Sequence, residues 1–399
     1  MKPVSKLAIV GSNAERTRLH NRQVVLGLVR QHQPVGRAEI ARFSGLSTQA
    51  VSNITAELEK DGFLNEAGRE VRGRGLPATQ YALNSGGAFG VGIEVRPEVM
   101  FGTLVNLGGE TVKTKRVALK SSAPHAVSVA SRKMLDDLLI RAGVKHEQLL
   151  GAGVVMPGPF GDVGLSGTGQ SELMDWDGVD ATQTFEKALE LPVIIENDAT
   201  AAAVAEKVSG VAKDLNSYCY IYFGTGLGLG VVADGQVLRG AFGNAGELGH
   251  IVVAPNGHLC ACGNRGCLET YASRLSVRNH LEKSGLSVQS VKDLEKLHLA
   301  GHPDLASWLQ SAAPPLSQAI GMIENLFDPE AVIIGGAMPD NLLDHLIGLL
   351  TLPSGSVARR TGRPVERVLR GASGRMAAAL GGAALIIHNT FTPRIVARA

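Results

Sequence analysis

No apolar run in this chain reaches the ~18–20 residues that a membrane-spanning helix needs. The apolar stretch near the start, within MKPVSKLAIVGSNAERTR, is too short for a secretory signal. A cytoplasmic protein with no membrane partner is expected. Cysteine is scarce, at 4 residues in 399. In a reducing compartment so few thiols argue against a disulfide framework and for metal ligands or free thiols. Charge is also modest: charged residues are 19% of the chain and hydrophobic ones 44%. That balance argues against disorder and coiled coil and leaves enough apolar side chains for a sizeable core. No fixed short period marks a solenoid.

What is present is unevenly distributed. Glycine reaches 49 residues, well above the usual ~7%, and implies many tight turns. The net charge of +2 conceals an asymmetry. Residues 1–85 carry 12 Lys/Arg and 7 Asp/Glu, for +5, and the rest carries 27 and 30, for −3. A basic first segment on a mildly acidic body suits a nucleic-acid module joined to a sensor or an enzyme.

Residues 17–32 follow a helical apolar pattern that Pro34 ends. Ile40, Ala41 and Phe43 fit a short helix, Gly45 a sharp turn, and Ser47 the N-cap of a second helix through Lys60. Val51, Ile54 and Leu58 form the apolar face of that helix, and Gly62 closes it. Two short helices around a glycine turn predict a helix-turn-helix. Ser47, Thr48, Gln49, Ser52 and Asn53 then lie at the start of the second helix, where base edges are read. The following REVRGRGLPATQYALN reads as a wing. Its Arg72 and Arg74 stand beside glycines at a loop tip and suit phosphate or minor-groove contact. Asn84, Ser85, Gly86 and Gly87 read as a linker.

Beyond it, glycine-rich hairpins recur around residues 90–110 and 218–240. Each would open one lobe of a two-lobed α/β body with a central cleft. The division predicted is residues 1–85, 86–200 and 201–399, with a C-terminal helix packing back on the first lobe.

Three of the four cysteines fall within eight residues in the pattern His250-x9-Cys260-x-Cys262-x4-Cys267. Three sulfurs and one imidazole are the complement of a closed tetrahedral structural zinc site. His258 competes with His250 for the fourth place, and Cys219 reads as a small buried residue. Glu247 and Glu269 flank the cysteine loop, and Asn197 and Asp198 end the strand-like PVIIEND. Carboxylates, an amide and an imidazole together suit a polyhydroxylated ligand. The loop around Gly224, Thr225, Gly226 and Gly228 could offer backbone N–H groups to a phosphate, or merely allow close strand packing.

The segments IENDATAAAVAE, GTGLGLG, GELGH and CACGNRGCLE together resemble the ROK family of bacterial sugar kinases and transcriptional repressors. The winged helix ahead of them resembles the repressor branch. The resemblance covers nearly the whole chain. It implies a winged helix-turn-helix followed by a two-lobed, actin-like ATPase (sugar-kinase-like) domain. It also implies that Asn197, Asp198, Glu247, His250 and Glu269 contact a sugar, with one His250 ring nitrogen on the sugar and the other on zinc. Asp198 matches the general base of the kinases.

One departure bears on activity. Where family kinases open with Asp-x-Gly-Gly-Thr-Lys, this chain has Glu94-Val95-Arg96-Pro97-Glu98-Val99. Pro97 has no N–H to offer a phosphate, and Glu98 would bring negative charge near it. The expected function is therefore a sugar-responsive DNA-binding transcriptional regulator, a repressor of sugar-utilisation genes, acting as a homodimer or higher homo-oligomer on an inverted-repeat operator and not as an enzyme. The alternative is an active ATP-dependent sugar kinase with an appended DNA-binding module.

Overall fold

The computed structural model describes residues 14–70, 78–158, 173, 175–241, 243–288, 290–353, 362 and 364–392. The chain begins with α1 (Ala14–His32), β1 (Val35–Gly36), α2 (Arg37–Ser44) and α3 (Thr48–Lys60). The hairpin β2 (Leu64–Glu70) and β3 (Ala78–Leu83) follows. Gly45 ends α2 at φ 69°, a left-handed conformation that costs glycine little. The Ser47 hydroxyl then accepts from the Ala50 N–H and starts α3. Val51, Ile54 and Leu58 of α3 are buried with Ile40 of α2 and Val25, Leu26 and Val29 of α1. β3 pairs antiparallel with both β1 and β2, which completes a winged helix. The wing-tip residues Arg72 and Arg74 lie outside the described residues.

The segment read as a linker is instead stitched into the structure. The Asn84 amide donates to the Gly62 carbonyl at 2.8 Å, and the Leu107 N–H to Ser85 O at 3.0 Å. A side chain at Gly87 would collide with the Gly62 carbonyl.

The body holds two sheets of one topology. The first lobe contains β4 (Phe89–Arg96), β5 (Val99–Asn106), β6 (Thr111–Ala118), α4 (Pro124–Ala142), β7 (Leu149–Val155), α5 (Ala181–Leu189) and β8 (Val193–Glu196), with sheet order β6-β5-β4-β7-β8. After α6 (Asp198–Ser209) come β9 (Tyr218–Phe223), β10 (Leu227–Ala233), β11 (Gln236–Val237), α7 (Arg274–Lys283), α8 (Val291–Leu299) and α9 (Pro303–Phe327). The chain continues with β12 (Ala331–Gly336), α10 (Asp340–Gly348), β13 (Val368–Arg370) and α11 (Ala377–Phe391). The second sheet has order β11-β10-β9-β12-β13. In each lobe three antiparallel strands are followed by two strands parallel to the first. The recurring glycine-rich hairpins are thus the openings of two structural repeats.

α4 and α5 cover the outer face of the first sheet, and α7, α9 and α10 that of the second. α6 packs on the second sheet, and α11 lies on the first and against α6. Only small residues allow this. A Cβ at Gly381 would collide with the Ala201 carbonyl of α6, and one at Gly92 with the Ala379 carbonyl. Gly153 and Gly382 meet backbone to backbone.

The far end of α11 docks on the N-terminal module. Ala383, Ile387 and Phe391 share one buried cluster with Val25, Leu26 and Val29. The Gln23 amide donates to Asn389 O at 2.7 Å, and the Arg30 guanidinium stacks 4.6 Å from the centre of the Phe391 ring. Burial, aided by Arg30, Lys207 and Arg239, holds the neighbouring His388 down to about 4.

Two outcomes follow from this packing. Gly381→Ala should lower stability by about 1–3 kcal/mol through overpacking of α6, while Gly348→Ala, whose new Cβ meets nothing within 4 Å, should change it by less than ~1 kcal/mol. Urea unfolding monitored by circular dichroism checks both. His388 is lowered relative to its unfolded value, so its contribution is present above pH ~6.5 and lost as pH falls toward 4. His388→Gln should flatten the stability–pH curve in that window by something on the order of 3 kcal/mol; an unchanged slope would refute the assignment.

Candidate functional site

On α3, Ser47, Thr48, Gln49 and Asn53 are exposed, and Ser52 is half-buried. Gln49 donates to Asn53 at 2.9 Å, so the two amides form one polar edge. Ser47 is committed to its cap. The opposite side is pinned: Arg37 reaches Thr55 and Tyr81, and Arg18 and Arg22 of α1 bridge Glu57 and Asp61. The module therefore presents the start of α3 outward on a fixed support.

The second candidate is a metal site. One ligand atom each from His250, Cys260, Cys262 and Cys267 lies within 4.8 Å of the others. Cys260 Sγ to His250 Nδ1 and Cys262 Sγ to Cys267 Sγ are each 3.6 Å. A tetrahedron with ~2.3 Å metal–sulfur arms has edges of about 3.8 Å, so the donors suit a metal ion. The sulfurs are far beyond the ~2.05 Å of a disulfide. Burial pushes the Cys262 thiol up, but hydrogen bonds from the Asn264 backbone and neighbouring thiols outweigh it and bring it to about 7. His258 is exposed, stacks on Tyr271 and stands outside the group.

The ring of His250 faces two ways. Nδ1 is turned to Cys260, and Nε2 lies 3.9 Å from Glu247 in the adjoining cleft. Glu269 spans both, with Oε1 accepting from Cys260 at 2.9 Å and Oε2 beside Gly226. Burial, reinforced by Glu269 and opposed by His250, raises the Glu247 carboxyl.

The cleft lies between the lobes, with about 1070 Å³ of open space, and brings together Asn197, Asp198, Glu247, His250 and Glu269. Asn197 caps α6 with its carbonyl oxygen on the Thr200 N–H at 2.7 Å, leaving its amide N–H groups for other partners. Asp198 opens α6, accepts from the Ala199 N–H at 2.8 Å, and lies beside Gly224. The Gly224–Gly226 turn runs between these walls.

The first hairpin differs from the sequence expectation in one respect. β4 and β5 are joined by a two-residue turn, Pro97-Glu98. Glu98 is exposed and absent from the cleft lining, so it brings no charge to it. The buried carboxyl is Glu94, paired with Arg96 at 2.6 Å and raised by burial. Arg96 also reaches the Tyr222 hydroxyl at 3.3 Å. Arg96, Tyr222 and Arg274 line the cleft and were not singled out as ligand groups. Only the motif departure at Glu94–Val99 hinted at the first.

A winged helix fixed to a duplicated, clefted α/β body defines a DNA-binding regulator class built on a sugar-kinase-like fold. Residues 91–389 match the ROK family and residues 20–66 the MarR family. The chain belongs to the ROK family. It is 29% identical to the xylose repressor of Bacillus subtilis over 372 residues, covering 92% of this chain and 95% of that one. It is 24% identical to the N-acetylglucosamine repressor of Escherichia coli O157:H7, covering 89% and 90%. Among solved structures, a ROK family transcriptional regulator described as a homologue of the Escherichia coli MLC protein superposes with TM-score 0.75 and 26% identity, covering 94% of this chain and 98% of that one. The ROK hexokinase of Thermus thermophilus superposes with TM-score 0.58 and 27% identity, over 74% of this chain and 97% of that one. No helix among the described residues is long and apolar enough to cross a membrane.

Metal analysis of the purified chain should find about one ion per chain, since one such group is present among the described residues. Cys262→Ala should release it and lower the melting temperature; a metal-free native protein would refute the site.

Proposed function

We propose that the chain is a sugar-controlled repressor of sugar-utilisation genes. The observation that carries this reading is the pairing of α3's exposed polar edge with a cleft lined by Asn197, Asp198, Glu247, His250 and Glu269. The relatives named as repressors support it. Carboxylates accept hydrogen bonds from sugar hydroxyls, and His250 donates from Nε2 while Nδ1 faces the metal. Zinc suits the Cys3His donor set, and its role is structural: it fixes the loop that carries Glu247, His250 and Glu269.

Two copies of the module in a homodimer read an inverted repeat, because the two-fold axis of the protein is mirrored in the DNA. Thr48, Gln49, Ser52 and Asn53 face base edges, Ser47 sets the start of α3 against the backbone, and Arg72 and Arg74 contact phosphate or the minor groove. Sugar favours one lobe arrangement over the other by its differential affinity for the two. α6 starts at the sugar-facing Asp198 and packs on α11, whose far end holds α1. A change in lobe closure therefore reaches the DNA-binding module through backbone-tight contacts.

Phosphoryl transfer is not part of this function. The resemblance matches Arg96 and Pro97 to the glycines that family kinases present to phosphate; Pro97 has no N–H to donate, and Arg96 is paired with Glu94. The kinase alternative keeps one specific support, Asp198 beside the Gly224–Gly226 turn.

The test is a fluorescence titration of labelled operator DNA with candidate sugars, beside an ATP-consumption assay. The wild type should release DNA with sugar and consume no ATP. Asp198→Asn should still bind operator but need roughly ten- to a hundred-fold more sugar, as expected for a lost charged hydrogen bond. Gln49→Ala should reduce the preference for operator over random DNA. Sugar-dependent ATP turnover abolished by Asp198→Asn would establish the kinase reading instead.

A further inference from the structure

Resting on the reading of the cleft as the effector site, we propose that the effector is a negatively charged sugar, a phosphate ester or a sugar acid, whose anionic group is held by Arg274 with Arg96 beside it. Arg274 is the first residue of α7 and lines the cleft together with Asp198, Thr225 and Arg96. Its place is fixed: the next residue, Leu275, donates its N–H to Thr225 O at 3.0 Å, which ties the start of α7 to the Gly224–Gly226 turn.

The position is adverse for a cation in an empty cleft. The N-terminus of a helix carries partial positive charge. Burial lowers the affinity of Arg274 for its proton, and repulsion from Arg96 lowers it further. Among the described residues no hydrogen bond or ion pair holds its guanidinium. Several other arginines of the body have carboxylate partners. Arg96 is paired with Glu94, Arg239 with Glu196, Arg367 with Glu324 and Arg370 with Asp344. Among the described residues, Arg274 is thus the cleft arginine with no ion pair, since Glu94 is spent on Arg96.

The cleft is polarised as a result. Glu247, His250 and Glu269 make one wall suited to hydroxyl groups, and Arg96 and Arg274 make another suited to an anion. A neutral sugar satisfies the first wall only. A sugar bearing a phosphate or carboxylate satisfies both and supplies the missing counter-charge to a half-buried guanidinium, whose planar fork matches either group.

The experiment is calorimetric titration of the full-length protein with glucose, N-acetylglucosamine and xylose, their phosphate esters, glucuronate, inorganic phosphate and ATP. At least one charged sugar should bind roughly ten-fold or more tightly than its neutral parent. Arg274→Gln should weaken the charged ligand roughly ten- to a hundred-fold and leave the neutral parent within about three-fold; Arg274→Lys should restore part of the preference. Equal binding of neutral and charged sugars by the wild type overturns the proposal without any variant. So does a charge preference that Arg274→Gln leaves intact. ATP or inorganic phosphate binding through Arg274 without competition from a sugar phosphate overturns it as well and assigns the cation to another anion. If neutral sugars alone bind and release operator, this inference fails and the repressor reading stands. If no sugar of either kind binds, both fail.

Discussion

The contact on which the rest of the molecule depends is that between α6 and α11. Their backbones touch at Gly381 and Ala201, and another face of α11, through Ala379, Gly382 and Ala383, meets the first sheet at Gly92 and Gly153. Close-packed interiors transmit displacement because they lack space to absorb it. A backbone-to-backbone contact is the extreme case, with no side chain to change rotamer. Both helices also end where function is proposed. α6 begins at Asp198, on the cleft, and α11 ends at Phe391, against α1.

The cleft inherits its order from two sources of different physical kind. One wall belongs to the cysteine loop, a glycine-rich segment held by backbone hydrogen bonds such as Cys260 N–H to Asn264 O at 2.8 Å and Leu268 N–H to Ile251 O at 2.9 Å, and gathering four donor atoms within 4.8 Å. The other wall belongs to the sheets, through the end of β8, the start of α6 and the β4–β5 turn. His250 and Glu269 join the two, since each has one polar atom toward the cysteines and another toward the cleft. The cysteine cluster and the cleft are for that reason joined through two side chains.

The first hairpin shows how one fold carries different chemistry. The strands belong to a lobe of sugar-kinase-like fold; the turn is Pro97-Glu98, and behind it the Glu94–Arg96 pair meets Tyr222. A shared fold leaves such turn and cleft residues free to differ, which is the general relation between scaffold and site.

Local patterns in the sequence carried a good deal. Gly45 and Ser47 marked the turn and cap of the helix-turn-helix because both act within four residues of themselves. The clustering of Cys260, Cys262 and Cys267 in a chain with few cysteines marked a candidate donor group, and the repeated glycine-rich hairpins marked the two lobes. Tertiary structure decided what depends on residues far apart in the chain. It turned Asn84–Gly87 from a tether into a docked turn by setting Gly87 against Gly62. It buried Glu94 within β4 and left Glu98 exposed in the turn that follows. It brought Arg274, which opens α7 of the second lobe, near Arg96 at the end of β4 in the first. No sequence window contains both arginines, and their shared burial without a common carboxylate exists only once two sheets of the same topology face each other.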